Sequence, residues 1–185
     1  MITKLYIFDF DETLVRAPGY TCKKAVERVH PELSFPDPYS FYDHPKSLCE
    51  EIHNIQVISP VADDLTRANA DFLAKTVLIT HRVKELEPEV SSIIKNRGLR
   101  FDSQFYLGRV FEKLEVLRTE LEENIDITEI YIYEDSFEQI SKYQSFLEDW
   151  DFARPTKIQY YIVDKSKVIE LNTFTRGNSR RITLL

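Results

Sequence analysis

The chain has 185 residues, 43% of them hydrophobic and 30% charged. That balance excludes a fibrous, collagen-like or wholly disordered chain and suffices for one domain with its own core. The formal charge of −7 opposes broad electrostatic binding to nucleic acid, which draws on many lysines and arginines displacing counterions. No apolar run approaches the roughly 18–20 residues of a membrane-spanning helix, and Asp9, Asp11 and Glu12 stand where a signal peptide would stay apolar. A cytoplasmic chain with no membrane contact is therefore expected. Cys22 and Cys49 form no Cys-x-x-Cys pair, which fits a reducing compartment, gives no structural zinc site and predicts two buried thiols. With only 4 glycines, the chain has no glycine-rich phosphate loop.

In chain order, Lys4 to Phe8 is a near-continuous apolar run, the pattern of a strand buried on both faces. Arg16 to Pro60 carries six of the 8 prolines and most of the aromatics outside strands; it is too long for a plain connection and predicts a lid over one end of the sheet. Strands are then predicted at Thr76 to Thr80, Phe101 to Leu107, Ile130 to Tyr133 and Ile158 to Val163. Helices are predicted at Val61 to Ala74, Glu87 to Arg97 closed by Gly98, Phe111 to Glu122, and Phe137 to Asp149. The polar end, 173–185 with Arg176, Arg180 and Arg181, reads as a mobile tail. This alternation predicts an α/β fold with a mostly parallel central sheet: a single domain over 1–172 with its lid at about 16–60, followed by the tail.

The chemistry concentrates in Phe8-Asp9-Phe10-Asp11-Glu12-Thr13-Leu14, directly after the first strand. Two carboxylates two residues apart at a strand's carboxyl end can serve one substrate, one attacking and the other moving a proton. A solvated acidic turn with Thr13 as a helix cap is the plainer reading, and the apolar strand before it favours the functional one. A carboxylate attacking phosphorus meets like charge, so it needs a cation, a hydroxyl or amide cradle, and a fixed positive charge nearby. Thr80, in Leu78-Ile79-Thr80-His81-Arg82, offers the cradle. Lys113, in Phe111-Glu112-Lys113, offers the charge. Glu134 and Asp135, closing Tyr131-Ile132-Tyr133, offer hard oxygen ligands of the kind Mg²⁺ takes. Singly these read as a helix cap, a surface lysine and a strand-end turn; together, in this order, they form a set.

The set resembles the haloacid dehalogenase (HAD) superfamily of phosphohydrolases and phosphotransferases, whose four motifs run in this order. The wording of Pro36-Asp37-Pro38, Pro45-x-Ser47-Leu48, Val77 to Arg82, Phe111 to Leu117 and Ile130 to Asp135 is similar to the HAD domain called Swiss Army Knife RNA repair-like. The resemblance spans roughly Leu5 to Val163 and implies a Rossmann-like three-layer sandwich with a small inserted lid. It implies Asp9 as a nucleophile forming an aspartyl-phosphate, Asp11 as general acid and then base, and Thr80 and Lys113 as phosphoryl binders. It also implies Mg²⁺ held by the Asp9 carboxylate, the Asp11 backbone carbonyl and the Asp135 carboxylate, with Glu134 assisting. His81 stands where a glycine usually follows the threonine. Ser136 and Gln139 replace an arginine and a histidine of the subfamily, so its nucleic-acid-end specificity does not carry over directly.

Outside these motifs, Phe35, Tyr39, Phe41 and Tyr42 either stack a base or form the lid's own core. Arg97, Arg100, Arg109 and Arg118 either border a polyanion groove or make a scattered basic surface, and His30, His44 and His53 read as packing or surface residues. The expectation is a Mg²⁺-dependent phosphomonoesterase acting on a nucleic-acid end such as a 3′-phosphate, a free nucleotide or another small phosphomonoester. The alternative is a non-catalytic nucleic-acid- or protein-binding module. A phosphorylated receiver shares the acids and the lysine but has no use for Asp11-x-Thr13 or the long lid. The sequence carries no signal for oligomeric state.

Overall fold

The first apolar run forms β1 (Lys4–Phe8), and Leu5, Ile7 and Phe8 are at most 1% exposed because both faces of the strand are covered. The structure, a computed structural model, describes residues 1–176. After the acidic turn come β2 (Val15–Arg16), α1 (Lys23–Val29), α2 (Pro38–Tyr42) and β3 (Gln56–Val57), which pairs antiparallel with β2 to close an insertion. The alternating part follows: α3 (Ser59–Ala70), β4 (Ala74–Thr80), α4 (Glu87–Asn96), β5 (Ser103–Tyr106), α5 (Lys113–Glu123), β6 (Glu129–Glu134) and α6 (Phe137–Asp149). A hairpin of β7 (Thr156–Asp164) and β8 (Lys167–Arg176) completes the described chain.

The sheet order is β5-β4-β1-β6-β7-β8, parallel except for β8. Phe8 lies opposite Leu78 of β4 and Tyr133 of β6, so all three strands present their carboxyl ends along one edge. The chain leaves β1 for β4 on one side and reaches β6 on the other, and such a reversal opens a crevice at those ends. Side-chain alternation divides the core. Leu5 and Ile7 pack with Leu117 and Leu121 of α5 and Ile140 and Leu147 of α6. Phe8 packs with Val61 and Leu65 of α3 and Val90 and Ile93 of α4. The result is an α/β fold with helices on both faces of a mostly parallel sheet. The insertion has a small core of its own around Val26, Phe35 and Phe41.

Several expected boundaries shift, for local reasons. The helix expected to reach Ala74 ends at Ala70, because the Asp71 carboxylate accepts the Leu73 N–H at 2.9 Å and the Lys4 ammonium at 2.8 Å instead of continuing the helix. The helix expected from Phe111 starts at Lys113, after extended backbone at Glu112. The stretch expected to begin a mobile tail at Thr173 is instead strand as far as Arg176, paired to β7. That hairpin turns on Lys165 and Ser166, with φ of 47° and 74°, a left-handed pair that usually announces itself as Asn-Gly. The rest of the expected tail, 177–185, lies outside the described residues. Among the described residues no helix is long and apolar enough to cross a membrane.

Candidate active site

Asp9 sits one residue beyond β1, its N–H donating to Tyr133 O at 3.1 Å, so the sheet ladder itself fixes where its carboxylate points. Lys113 opens α5, where a cation opposes the helix dipole. Carboxylates hold it there: its Nζ lies 2.7 Å from Asp9 Oδ1 and 3.0 Å from Glu134 Oε2, with the lysine side chain 2% exposed. Burial, opposed by Lys113 and reinforced by Asp11, raises the Asp9 carboxyl above its usual range. Burial and the neighbouring Asp9 push Glu134 well up, and the two carboxylates outweigh burial to hold Lys113 protonated. Asp135, next along the chain and exposed, is pushed up to about 6 by partial desolvation and by Asp9, against the pull of Lys113. Carboxylate oxygens of Asp9, Glu134 and Asp135 lie within 4.8 Å of one another. Three hard oxygen donors against one ammonium leave uncompensated negative charge, a donor set that fits Mg²⁺.

Asp11 is built into a different contact. Arg82 Nη2 donates to Asp11 Oδ1 at 2.6 Å and Arg82 Nε to Asp11 Oδ2 at 2.9 Å, a two-pronged pair. The remaining prong, Nη1, donates to Tyr42 O at 2.6 Å and Ser47 Oγ at 3.0 Å, both in the insertion. Between the two aspartates and the next strand, Glu12 adopts a φ of 56°, a left-handed conformation uncommon for a side-chain-bearing residue. Thr80 is fully buried and its Oγ1 accepts the Arg82 N–H at 3.1 Å, which leaves its hydroxyl proton for another acceptor. The structure thus gathers Asp9, Lys113, Glu134 and Asp135 into one cluster. Asp11 and Thr80 join through Arg82, a residue the sequence passed over. Its signals were its place two residues past Thr80 and at the end of the resembling stretch Val77 to Arg82; nothing in the order of residues announces a partner 71 positions away.

The insertion meets the strand ends across a cleft of about 450 Å³ whose walls include Asp11, Glu12, Tyr39, Tyr42, His81 and Arg109. The four aromatics of the insertion divide. Phe35 and Phe41 belong to its buried core, Tyr39 lines the cleft, and Tyr42 packs on that core while also lining the cleft. The arginines are largely occupied rather than forming a free basic groove. Arg97 pairs with Glu50, Arg109 with Asp43 and Arg118 with Glu115, and Arg100 donates to Asn69 O. His81 Nδ1 is 3.0 Å from Gly108 O, tying together the turns after β4 and β5. Ser136 caps α6 by accepting the Gln139 N–H at 3.3 Å, and Gln139 is buried, so neither stands as a free surface contact. His53 is buried and His44 caps a turn through Lys46 N–H. Cys22 and Cys49 are free and half-buried, less enclosed than expected.

No family model matches the sequence, and no curated protein matches it. Among solved structures, the chain is similar to a chain in the structure of the Pnkp1/Rnl/Hen1 complex, with 17% identity over 79% of this chain and 44% of that chain and a TM-score of 0.49. A second, the Pnkp1/Rnl/Hen1 RNA repair complex, gives 17% identity over 77% of this chain and 39% of that chain, with a TM-score of 0.48. The chain spans less than half the length of these neighbours. At these values the likeness establishes nothing about activity.

Proposed function

We propose that the protein is a Mg²⁺-dependent phosphomonoesterase working through an aspartyl-phosphate on Asp9, as the order of its motifs and their likeness to the HAD superfamily imply. One observation carries the reading. A buried lysine stands against an Asp9 carboxylate that lies at the carboxyl end of the central strand, within a cluster of hard oxygen donors. A structural ion pair has no need of the extra acid Asp135, and a surface turn has no need of Lys113.

An Asp9 oxygen attacks the phosphorus while the bond from phosphorus to the leaving oxygen breaks. Asp11 delivers a proton to that oxygen, so the alcohol departs neutral. In the second half, Asp11 takes a proton from the water that attacks the aspartyl-phosphate, the Asp9–phosphate bond breaks, and inorganic phosphate leaves. Lys113 supplies fixed positive charge beside Asp9, and the Thr80 hydroxyl with the following amides cradles phosphoryl oxygens. Glu134 holds Lys113 in place. The Asp9 and Asp135 carboxylates and the Asp11 backbone carbonyl would hold Mg²⁺, which supplies charge neutralisation for an anionic substrate approaching an anionic site. Because Arg82 donates to both oxygens of Asp11, the acid step frees one oxygen from the fork while the other bond keeps the carboxyl oriented toward the leaving group.

The test is phosphate release from an aryl phosphate with Mg²⁺ or with EDTA, in the wild type and in Asp9→Asn. Release that needs Mg²⁺ and falls by about 10⁴-fold or more in Asp9→Asn is the expected result. Equal rates in the two proteins, or no release from any phosphomonoester, would remove the phosphatase and leave a binding module.

A further inference from the structure

The leaving group of a phosphate seated on Asp9 must pass Asp11, and Asp11 is a wall of the cleft beneath the insertion. The chemistry of that cleft therefore states what the phosphate is attached to. Its volume of about 450 Å³ lies within the roughly 300–1,000 Å³ typical of small-ligand sites. Two tyrosine rings line it, each with an arginine over one face, Arg109 on Tyr39 and Arg82 on Tyr42. The Arg109 guanidinium lies 3.9 Å from the Tyr39 ring centroid, and Tyr39 is still 57% exposed, so a stacked pair keeps open area toward the cleft. Tyr42 is fixed, its hydroxyl accepting the Tyr20 N–H at 3.0 Å and its ring packed on Phe41 at 5.6 Å. Rigid aromatic and guanidinium planes bind a planar ring through stacking without reading its edge closely.

Charge narrows the choice further. Both arginines of the cleft are neutralised, Arg82 by Asp11 and Arg109 by Asp43. Glu12, which also lines the cleft, then leaves the lining with one acid more than its arginines, although the Glu12 carboxylate accepts the Ala17 N–H and lies near Arg16. A surplus carboxylate accepts hydrogen bonds from ribose hydroxyls or an exocyclic amino group, and it repels a second phosphate. No cation among the described cleft residues is left over for the phosphodiesters of a strand, whose binding depends on such contacts.

We infer that the cleft takes the ring and sugar of a free nucleoside monophosphate, with the base stacked against Tyr39 and Arg109, in preference to the end of a nucleic-acid strand. This rests on the phosphomonoesterase reading for the placement of the phosphate, while the stacking site stands on the cleft alone.

The experiment has a turnover arm and a binding arm. In the first, kcat/KM is measured for AMP with its phosphate on the 5′ or the 3′ oxygen, for ribose 5-phosphate, and for an oligonucleotide carrying a 3′-phosphate. The better AMP isomer is expected to exceed ribose 5-phosphate by at least about tenfold, and Tyr39→Ala is expected to reduce that ratio by about tenfold while Tyr39→Phe restores it. In the second, calorimetry measures Kd for AMP and ribose 5-phosphate with Mg²⁺, using Asp9→Asn so that nothing turns over. If no substrate is hydrolysed, the phosphatase reading fails and the binding arm alone decides the cleft: tighter binding of AMP, weakened by Tyr39→Ala, still upholds it. Equal affinity for AMP and ribose 5-phosphate overturns the proposal. So does an oligonucleotide whose kcat/KM exceeds that of 3′-AMP by about tenfold, which would make a strand end the occupant.

Discussion

Two clusters of paired charges meet at the carboxyl edge of the sheet, and they are held in different ways. Around Lys113 every partner comes from the sheet or the helix next to it, and the side chains of Lys113, Asp9 and Glu134 are no more than 9% exposed. Around Arg82 two of the five side-chain bonds go to the insertion, to Tyr42 O and Ser47 Oγ, and Asp11 is 33% exposed. Two further arginines attach the insertion in the same manner, Arg97 to Ile55 O and Glu50 and Arg109 to Asp43. The first cluster is dry and fixed by strand register. The second clamps core to insertion through an Arg82 that is itself 4% exposed, and it opens to water and substrate at Asp11. A nucleophile profits from the first setting, where charge is strong and does not reorganise; an acid that must exchange protons and admit substrate profits from the second.

The sharpest way to break this contrast is Lys113→Met. It leaves Asp9 and Glu134 buried face to face without a cation, and unfolding by urea is expected to show a loss of about 3–5 kcal/mol. A loss below about 1 kcal/mol would mean that the cluster is wetter than its burial indicates. Arg82→Lys comes next. It keeps the charge but loses the fork that orients Asp11, so turnover of a small phosphomonoester is expected to fall by about 10²-fold, with a smaller change in stability. Equal turnover would show that Asp11 needs no orientation from the clamp.

The acid cluster also sets a dependence on pH. Asp135 is pushed up to about 6 in the folded chain from an ordinary 3.8, so the folded state binds its proton more tightly than the unfolded state does. Without metal, this group therefore adds stability as pH falls from about 6 toward about 4 and loses it as pH rises through about 6. Asp9 and Glu134, raised in the same direction, act with the same sign. Mg²⁺ competes with those protons, so its addition is expected to raise Tm more at about pH 7.5 than at about pH 5.5. Asp135→Asn is expected to flatten that difference, and an equal Mg²⁺ shift at both pH values would place the ion elsewhere. The smallest expected effect is Arg109→Ala, which removes an exposed clamp worth about 1 kcal/mol or less but should speed limited proteolysis within the insertion. Raising salt should mimic it there and leave the Lys113 cluster untouched.

The sequence by itself determined the central strand, because the Leu5 to Phe8 run is too apolar to tolerate water on either side. It likewise determined the acids and hydroxyl at strand ends, since Asp9, Thr80 and Glu134 each follow directly from, or close, a run of that kind. α6 is legible to the residue, Phe137 to Asp149, because Ser136 supplies an ordinary cap. The β7–β8 hairpin was not, because Lys165 and Ser166 adopt left-handed backbone without the glycine or asparagine that marks such turns. Nor could the order of residues show that Phe35 and Phe41 turn inward while Tyr39 and Tyr42 line the cleft, since all four are aromatic and share one stretch. Strand placement is a local matter of burial and periodicity. Arg82 reaching Asp11, and Lys113 reaching Asp9 across 104 positions, are long-range contacts that exist only once the parallel register has brought the strand ends level, which is why only the tertiary structure decided them.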